Sequence, residues 1–174
     1  MAKTRPTQLD VPIDPERDHV LGRLGAGLTL VEYGSYACAY CHAAHEVVAK
    51  LRERFGDELT YVYRHLPLTD RSVATKAAEL VEYAAQTEDR FWEVHDAFMK
   101  GDPDIDGSDV KALAEQLGLP PVERRDENIR KQVAKRVRDD AQSGLRSGAR
   151  MTPTFFINGR RYEGAWDEDA LTEA

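Results

Sequence analysis

Cysteine is nearly absent from this 174-residue chain: there are two, Cys38 and Cys41, three positions apart. A pair so close would staple almost nothing, which excludes a framework of structural disulfides. Long apolar runs are missing too, and no stretch approaches the length that crosses a membrane. Positive charge is in deficit. The 24 Lys and Arg against 31 Asp and Glu leave a net charge of −7, which argues against a sequence-independent grip on nucleic acid. The first residues, Met1 to Asp10, carry basic side chains with no apolar segment behind them, so no secretory signal is expected. That reading places the protein in the cytoplasm, where thiols are kept reduced. No internal repeat and no low-complexity segment is visible. The length fits one domain with a proper core, or one domain carrying an insertion.

What is present is organised around residues 28–51. Leu28 to Tyr33 is short, apolar and β-branched, as a buried strand is. After Gly34 and Ser35 the period changes. Ala44, Val47, Val48, Leu51 and Phe55 then fall on one helix face. Cys38 and Cys41 sit where the strand hands over to the helix. A thiol there meets unpaired N–H groups and the positive end of the helix dipole, both of which favour the thiolate. The C-x-x-C spacing brings the second thiol within one turn, close enough to form a redox-active disulfide. The same residues allow other readings. Cys38 to His42 spells the C-x-x-C-H pattern of haem c attachment, and Cys38, Cys41, His42 and His45 could hold zinc. The plain reading of His42 and His45 is a solvated or half-buried helix residue in each case; the alternative is that either adds positive charge near the thiolate.

The rest of the chain gives an element order. Leu9 to Glu16 reads as an extended arm and His19 to Leu21 as a short edge strand. Leu59 to Leu66 is a second strand ended by Pro67, so strand, helix and strand form a right-handed crossover. From Thr69 to Ser147 the pattern is helical. Asp70 caps a helix bearing Val73, Ala77, Leu80, Val81 and Ala84. Thr87 or Asp89 starts another, with Phe91, Val94 and Phe98 inward, and Trp92, Phe91 and Phe98 read as ordinary packing. Gly101 to Gly107 is an acidic loop, and Ser108 precedes a helix with Val110, Leu113, Ala114 and Leu117. Pro120 and Pro121 open the next, which carries Ile129, Val133, Val137 and Ala141; Gly144 weakens it and Gly148 ends it. Its basic residues, between Arg124 and Arg138, are interleaved with acids and read as a solvated face. Thr154 to Ile157 is a strand, Asn158-Gly159 a hairpin turn, Arg161-Tyr-Glu its partner, and Asp167 caps a final helix. The division is an arm at 1–17, a core at 18–68 and 148–174, and an inserted helical subdomain at 69–147.

That order resembles the DsbA type of thioredoxin fold, with its helical insertion, from about Val20 to the C-terminus. The resemblance rests on Val-Glu-Tyr-Gly-Ser-Tyr-Ala-Cys-Ala-Tyr-Cys, Arg-His-Leu-Pro-Leu and Met-Thr-Pro-Thr-Phe-Phe-Ile-Asn-Gly. It implies an α/β fold with a central mixed sheet and a thiol–disulfide oxidoreductase that needs no cofactor. By resemblance, Cys38 is the attacking thiol and Cys41 the resolving one. Pro153 is the cis-proline facing them, Thr152 offers its backbone to an extended substrate, and Glu32 is the buried acid beneath the site. The family commonly has Pro where Ala39 stands, which bears on redox poise. It commonly has Gly where Met151 stands, which adds an apolar contact at the substrate groove. Expected partners are protein or peptide thiols and disulfides, with glutathione or a thioredoxin-type protein as reductant, and neither nucleic acid nor membrane. If Glu32 is buried it prefers the proton and can exchange it with Cys41. An alternative of another class is a chaperone-like peptide-binding module whose C-x-x-C is vestigial or zinc-bound.

Overall fold

The structure is a computed structural model and describes residues 7–68 and 72–174. Strands β1 (His19–Leu21), β2 (Leu28–Gly34), β3 (Leu59–His65), β4 (Thr154–Ile157) and β5 (Arg160–Arg161) form one sheet in the order β1-β3-β2-β4-β5. β2 and β3 pair in parallel, with Leu30 opposite Tyr61 and Glu32 opposite Tyr63. The other pairings are antiparallel, so the sheet is mixed. A parallel pair needs a crossover, and α1 (Ala39–Phe55) supplies it. Asn158 and Gly159 both take positive φ, 46° and 78°, which the two-residue hairpin turn between β4 and β5 requires. β5 is shorter than the Arg161-Tyr-Glu segment expected and begins one residue earlier. Beyond it the arm takes over the edge: Arg161 N donates to Thr7 O at 2.7 Å and Leu9 N to Gly159 O at 2.8 Å. An edge covered in this way is closed to pairing with another chain.

The alternation of side chains sends β2 and β3 into two cores. On one face Leu30, Tyr61 and Tyr63 pack against α1 and against α2 (Ser72–Glu88) and α3 (Phe91–Met99), through Val48, Leu51, Leu80, Val81, Phe91 and Phe98. On the other, Val31, Tyr33, Val62 and Phe156 meet Leu9 and Ile13 of the arm and Ala141 of α5 (Glu127–Arg146). Fully burying one such side chain contributes about 1.5–3 kcal/mol. Between arm and sheet lies a buried ion pair. Arg64 donates to Asp18 at 2.9 and 2.7 Å, to the carbonyls of Val11 and Pro12, and to Tyr33 Oη. Burial alone would raise the Asp18 pKa, but Arg64 holds it below the ordinary carboxylate value.

Several helix starts differ from expectation, each for a local reason. α3 begins after Arg90, with Asp89 at φ 54° rather than at a cap. α4 (Gly107–Gln116) is capped by Asp106, not opened at Ser108. The Asp106 carboxylate accepts from Ser108 N and Asp109 N, and Asp106 N in turn donates to the Asp109 carboxylate. After Pro121 comes a short 3-10 turn, Val122–Arg124, and α5 starts one step later under Asp126. The expected cap at Asp70 lies outside the described residues. α5 runs on to Arg146 through Gly144. A Cβ there would lie 2.8 Å from the Tyr33 ring, so the glycine is what lets the helix sit on the sheet. α6 (Glu168–Glu173) is capped by Asp167 as expected.

Candidate active site

β2 runs out at Gly34, and the chain takes four residues to reach α1. Cys38 is the N-cap residue, extended at φ −131°, and no side chain caps the helix for it. The first turn therefore presents the N–H groups of Tyr40 and Cys41 to the Cys38 sulfur. Cys38 is half-buried and Cys41, inside the turn, is 0% exposed. Opposite them is the loop before β4, where the Thr152–Pro153 peptide is cis and Cys38 Sγ lies 3.4 Å from Thr152 O. The two loops come from ends of the chain 114 positions apart, and it is the pairing of β4 with β2 that brings them together.

The two thiols are electrostatically unlike. A hydrogen bond from Cys41 is the largest influence lowering the Cys38 pKa, against partial burial. Thr152 and the backbone N–H groups of Cys41 and Tyr40 add to it, and the value falls from 9.0 to about 5. Cys41 is pushed far upward, first by burial, then by its bond to Cys38 and by the charge of Glu32. At neutral pH the pair holds one half-buried thiolate and one buried thiol.

Glu32 is 1% exposed, so the burial on which its preference for the proton depends is present. Burial raises its pKa from 4.5 to about 7, opposed by the Tyr61 hydroxyl, which donates to Oε2 at 2.7 Å. Its Oε1 is buried with no hydrogen-bond partner among the described residues, as is the Tyr63 hydroxyl. Sequence reasoning had not singled out Tyr61 and Tyr63. The signal was there in the alternation of Tyr61, Tyr63 and His65 along one strand face.

Beside the thiols is a groove of about 460 Å³ lined by Tyr40, Met151, Thr152, Pro153, Tyr162 and Trp166 among others. Tyr40 and Met151 are 68% and 67% exposed, an unusual condition for large apolar side chains. Phe91 and Phe98 are buried in the core and Trp92 packs against it, away from the groove.

The histidines are arranged differently from a C-x-x-C zinc site. His42 reaches two carbonyls, Tyr36 O at 2.8 Å and Gly101 O at 3.2 Å. His45 Nε2 is 3.6 Å from Asp96 Oδ1. Among the described residues, neither group of side chains close enough to share a metal ion contains a cysteine. Burial lowers the pKa of His45, and that of the fully buried His95 more strongly, so both imidazoles are neutral.

Comparison with known proteins places this geometry. A family model described as Thioredoxin matches residues 14–174. A stretch of the Na(+)/H(+) antiporter NhaA of Nitrosospira multiformis is 46% identical over 173 residues, 97% of this chain and 27% of that protein. The chain thus spans about a quarter of the length of the curated relatives it matches. Among solved structures, oxidised BdbD from Bacillus subtilis superposes with a TM-score of 0.73 at 20% identity, covering 97% of this chain and 94% of that one. The catalytic domain of Proteus mirabilis ScsC gives 0.75 at 21%, covering 90% and 86%. Among the described residues no helix is long and apolar enough to cross a membrane.

Proposed function

Because the chain belongs to the thioredoxin family and has its DsbA-like fold, we propose that it exchanges disulfides through Cys38 and Cys41. The observation that carries this reading is the asymmetry of the thiols: one half-exposed with a pKa of about 5, one buried and pushed upward. The Cys38 thiolate attacks a substrate disulfide, forming a mixed disulfide and releasing one substrate thiolate. Cys41 then gives up its proton and attacks Cys38 Sγ. The Cys38–Cys41 disulfide closes and the second substrate thiolate leaves. The substrate gains two electrons and the protein loses them; run backwards, the same steps oxidise a dithiol. Glu32, titrating near neutrality beneath the pair, is the acceptor for the Cys41 proton on this reading. An extended peptide would lie along the groove, with its backbone at Thr152 and Pro153 and an apolar side chain against Met151.

The compartment sets the direction. In a reducing cytoplasm the couple rests as a dithiol and acts as reductase or isomerase, recharged by glutathione or a thioredoxin-type protein. In an oxidising compartment it acts as an oxidase. Transport, the activity named for the antiporter relatives, belongs on this reading to the parts of those proteins that this chain does not match. The exposed Tyr40 and Met151 favour a second reading, a module that holds extended apolar segments without redox chemistry. Insulin reduction separates the two. Cys38→Ser should abolish turnover while leaving any suppression of aggregation intact. Turnover that survives Cys38→Ser would refute the exchange mechanism.

A further inference from the structure

We propose that His45, His95 and Asp96 form a binding site for a divalent metal ion of the zinc class, separate from the dithiol. One ligand atom from each lies within 4.8 Å of the others, drawn from α1 and α3. One edge of that triangle, His45 Nε2 to Asp96 Oδ1, is 3.6 Å. Two ligands at about 2.0–2.1 Å from a tetrahedral zinc stand about 3.4 Å apart, so that edge already fits and the two edges to His95 need to close only from within 4.8 Å. His95 is 1% exposed and its Nδ1 is 3.0 Å from the Tyr36 hydroxyl. An outer hydrogen bond of that kind fixes the ring of a metal-binding histidine and settles which nitrogen is left for the ion.

Asp96 is the outer member, its side chain 43% exposed, with Lys100 Nζ 3.4 Å from Oδ2 and not on the oxygen that faces His45. Two neutral imidazoles and one carboxylate suit zinc or cobalt and are too poor in oxygen for calcium or magnesium. Three protein ligands leave a fourth position for water.

A second group, His65, Glu82 and Asp140, is equally close, but its two carboxylates are already paired. Arg17 and Arg136 neutralise Asp140, and Glu82 Oε1 is shared by His19 and His65. On the His45 side Lys100 pairs with Asp96 Oδ2 through an exposed side chain and leaves Oδ1 facing His45. His45 lies one turn beyond Cys41, so an ion there would tie the helix that carries the dithiol to α3.

Cobalt(II) is the probe, titrated into the full chain carrying Cys38→Ser and Cys41→Ser. One Co²⁺ per chain is expected, with visible ligand-field bands and no thiolate-to-metal band in the near ultraviolet. Adding His45→Gln should abolish the bands, and Asp96→Asn should weaken binding at least tenfold. Both positions are partly exposed, so neither substitution endangers the core. The proposal is overturned if the double serine chain binds no cobalt, or if its binding is unmoved by His45→Gln. It is equally overturned if only the wild-type chain binds, with a thiolate band, since the metal would then belong to the cysteines.

Discussion

Glu32→Gln removes a charge and keeps the shape. In the folded, reduced chain Glu32 titrates at about 7, against an ordinary 4.5. Each pH unit of that gap is worth about 1.36 kcal/mol, so the ionised carboxylate costs the fold about 3 kcal/mol. The sign follows from proton counts. Between these two values the folded state still holds a proton that the unfolded chain has released, so stability falls as pH rises from about 4.5 to about 7 and levels off above. Glutamine has no such slope. Urea unfolding of both reduced proteins across that range should show the variant gaining on the wild type by up to about 3 kcal/mol. Cys38 titrates in both, so the difference reports Glu32 together with its charge coupling to Cys38. The same variant should close the Cys38–Cys41 disulfide about 100-fold more slowly, the lower bound for loss of a positioned proton acceptor. Parallel stability curves with unchanged closure would refute both the buried acid and its role.

Three further outcomes are expected. Gly144→Ala forces a methyl to within 2.8 Å of the Tyr33 ring and should destabilise by about 1–3 kcal/mol in urea; unchanged stability would contradict the close seating of α5. Asp18→Asn leaves the fully buried Arg64 without its counter-charge. The cost should be about 3 kcal/mol, at the low end for a broken buried pair because two carbonyls still receive the guanidinium. Tyr40→Ala and Met151→Ala alter exposed side chains at the groove. Stability should hold within about 0.5 kcal/mol while KM for a disulfide-containing peptide rises several-fold, and an unmoved KM would remove the groove from substrate docking.

Sequence alone exposed the β2–α1–β3 unit because the apolar period switches at Gly34, and that switch places the cysteines at a helix start. The hairpin was readable from Asn158-Gly159 for an equally local reason. Helix starts were less so, since an aspartate ahead of the first periodic residue competes with nearby serine and proline. Asp106 and Asp126 won because a carboxylate accepts two backbone N–H groups at once. Gly144 could not be interpreted without Tyr33, which is 111 positions away in the chain and meets it only through the packing of α5. The surroundings of Glu32 also needed the register of β2 against β3, which puts Tyr61 and Tyr63 on the acid's own face. His45, read from sequence as a neighbour of the cysteines, turned instead toward Asp96 on a helix the spacing could not place.

The ionisation of Cys38 is the most direct measurement. The ultraviolet absorbance of its thiolate, followed from acidic to alkaline pH in the reduced protein, should give its step near pH 5. In Cys41→Ala the step should move upward, because the Cys41 thiol is the largest influence holding it down. A step at the ordinary value of 9.0, indifferent to Cys41→Ala, would contradict an activated dithiol at this helix start.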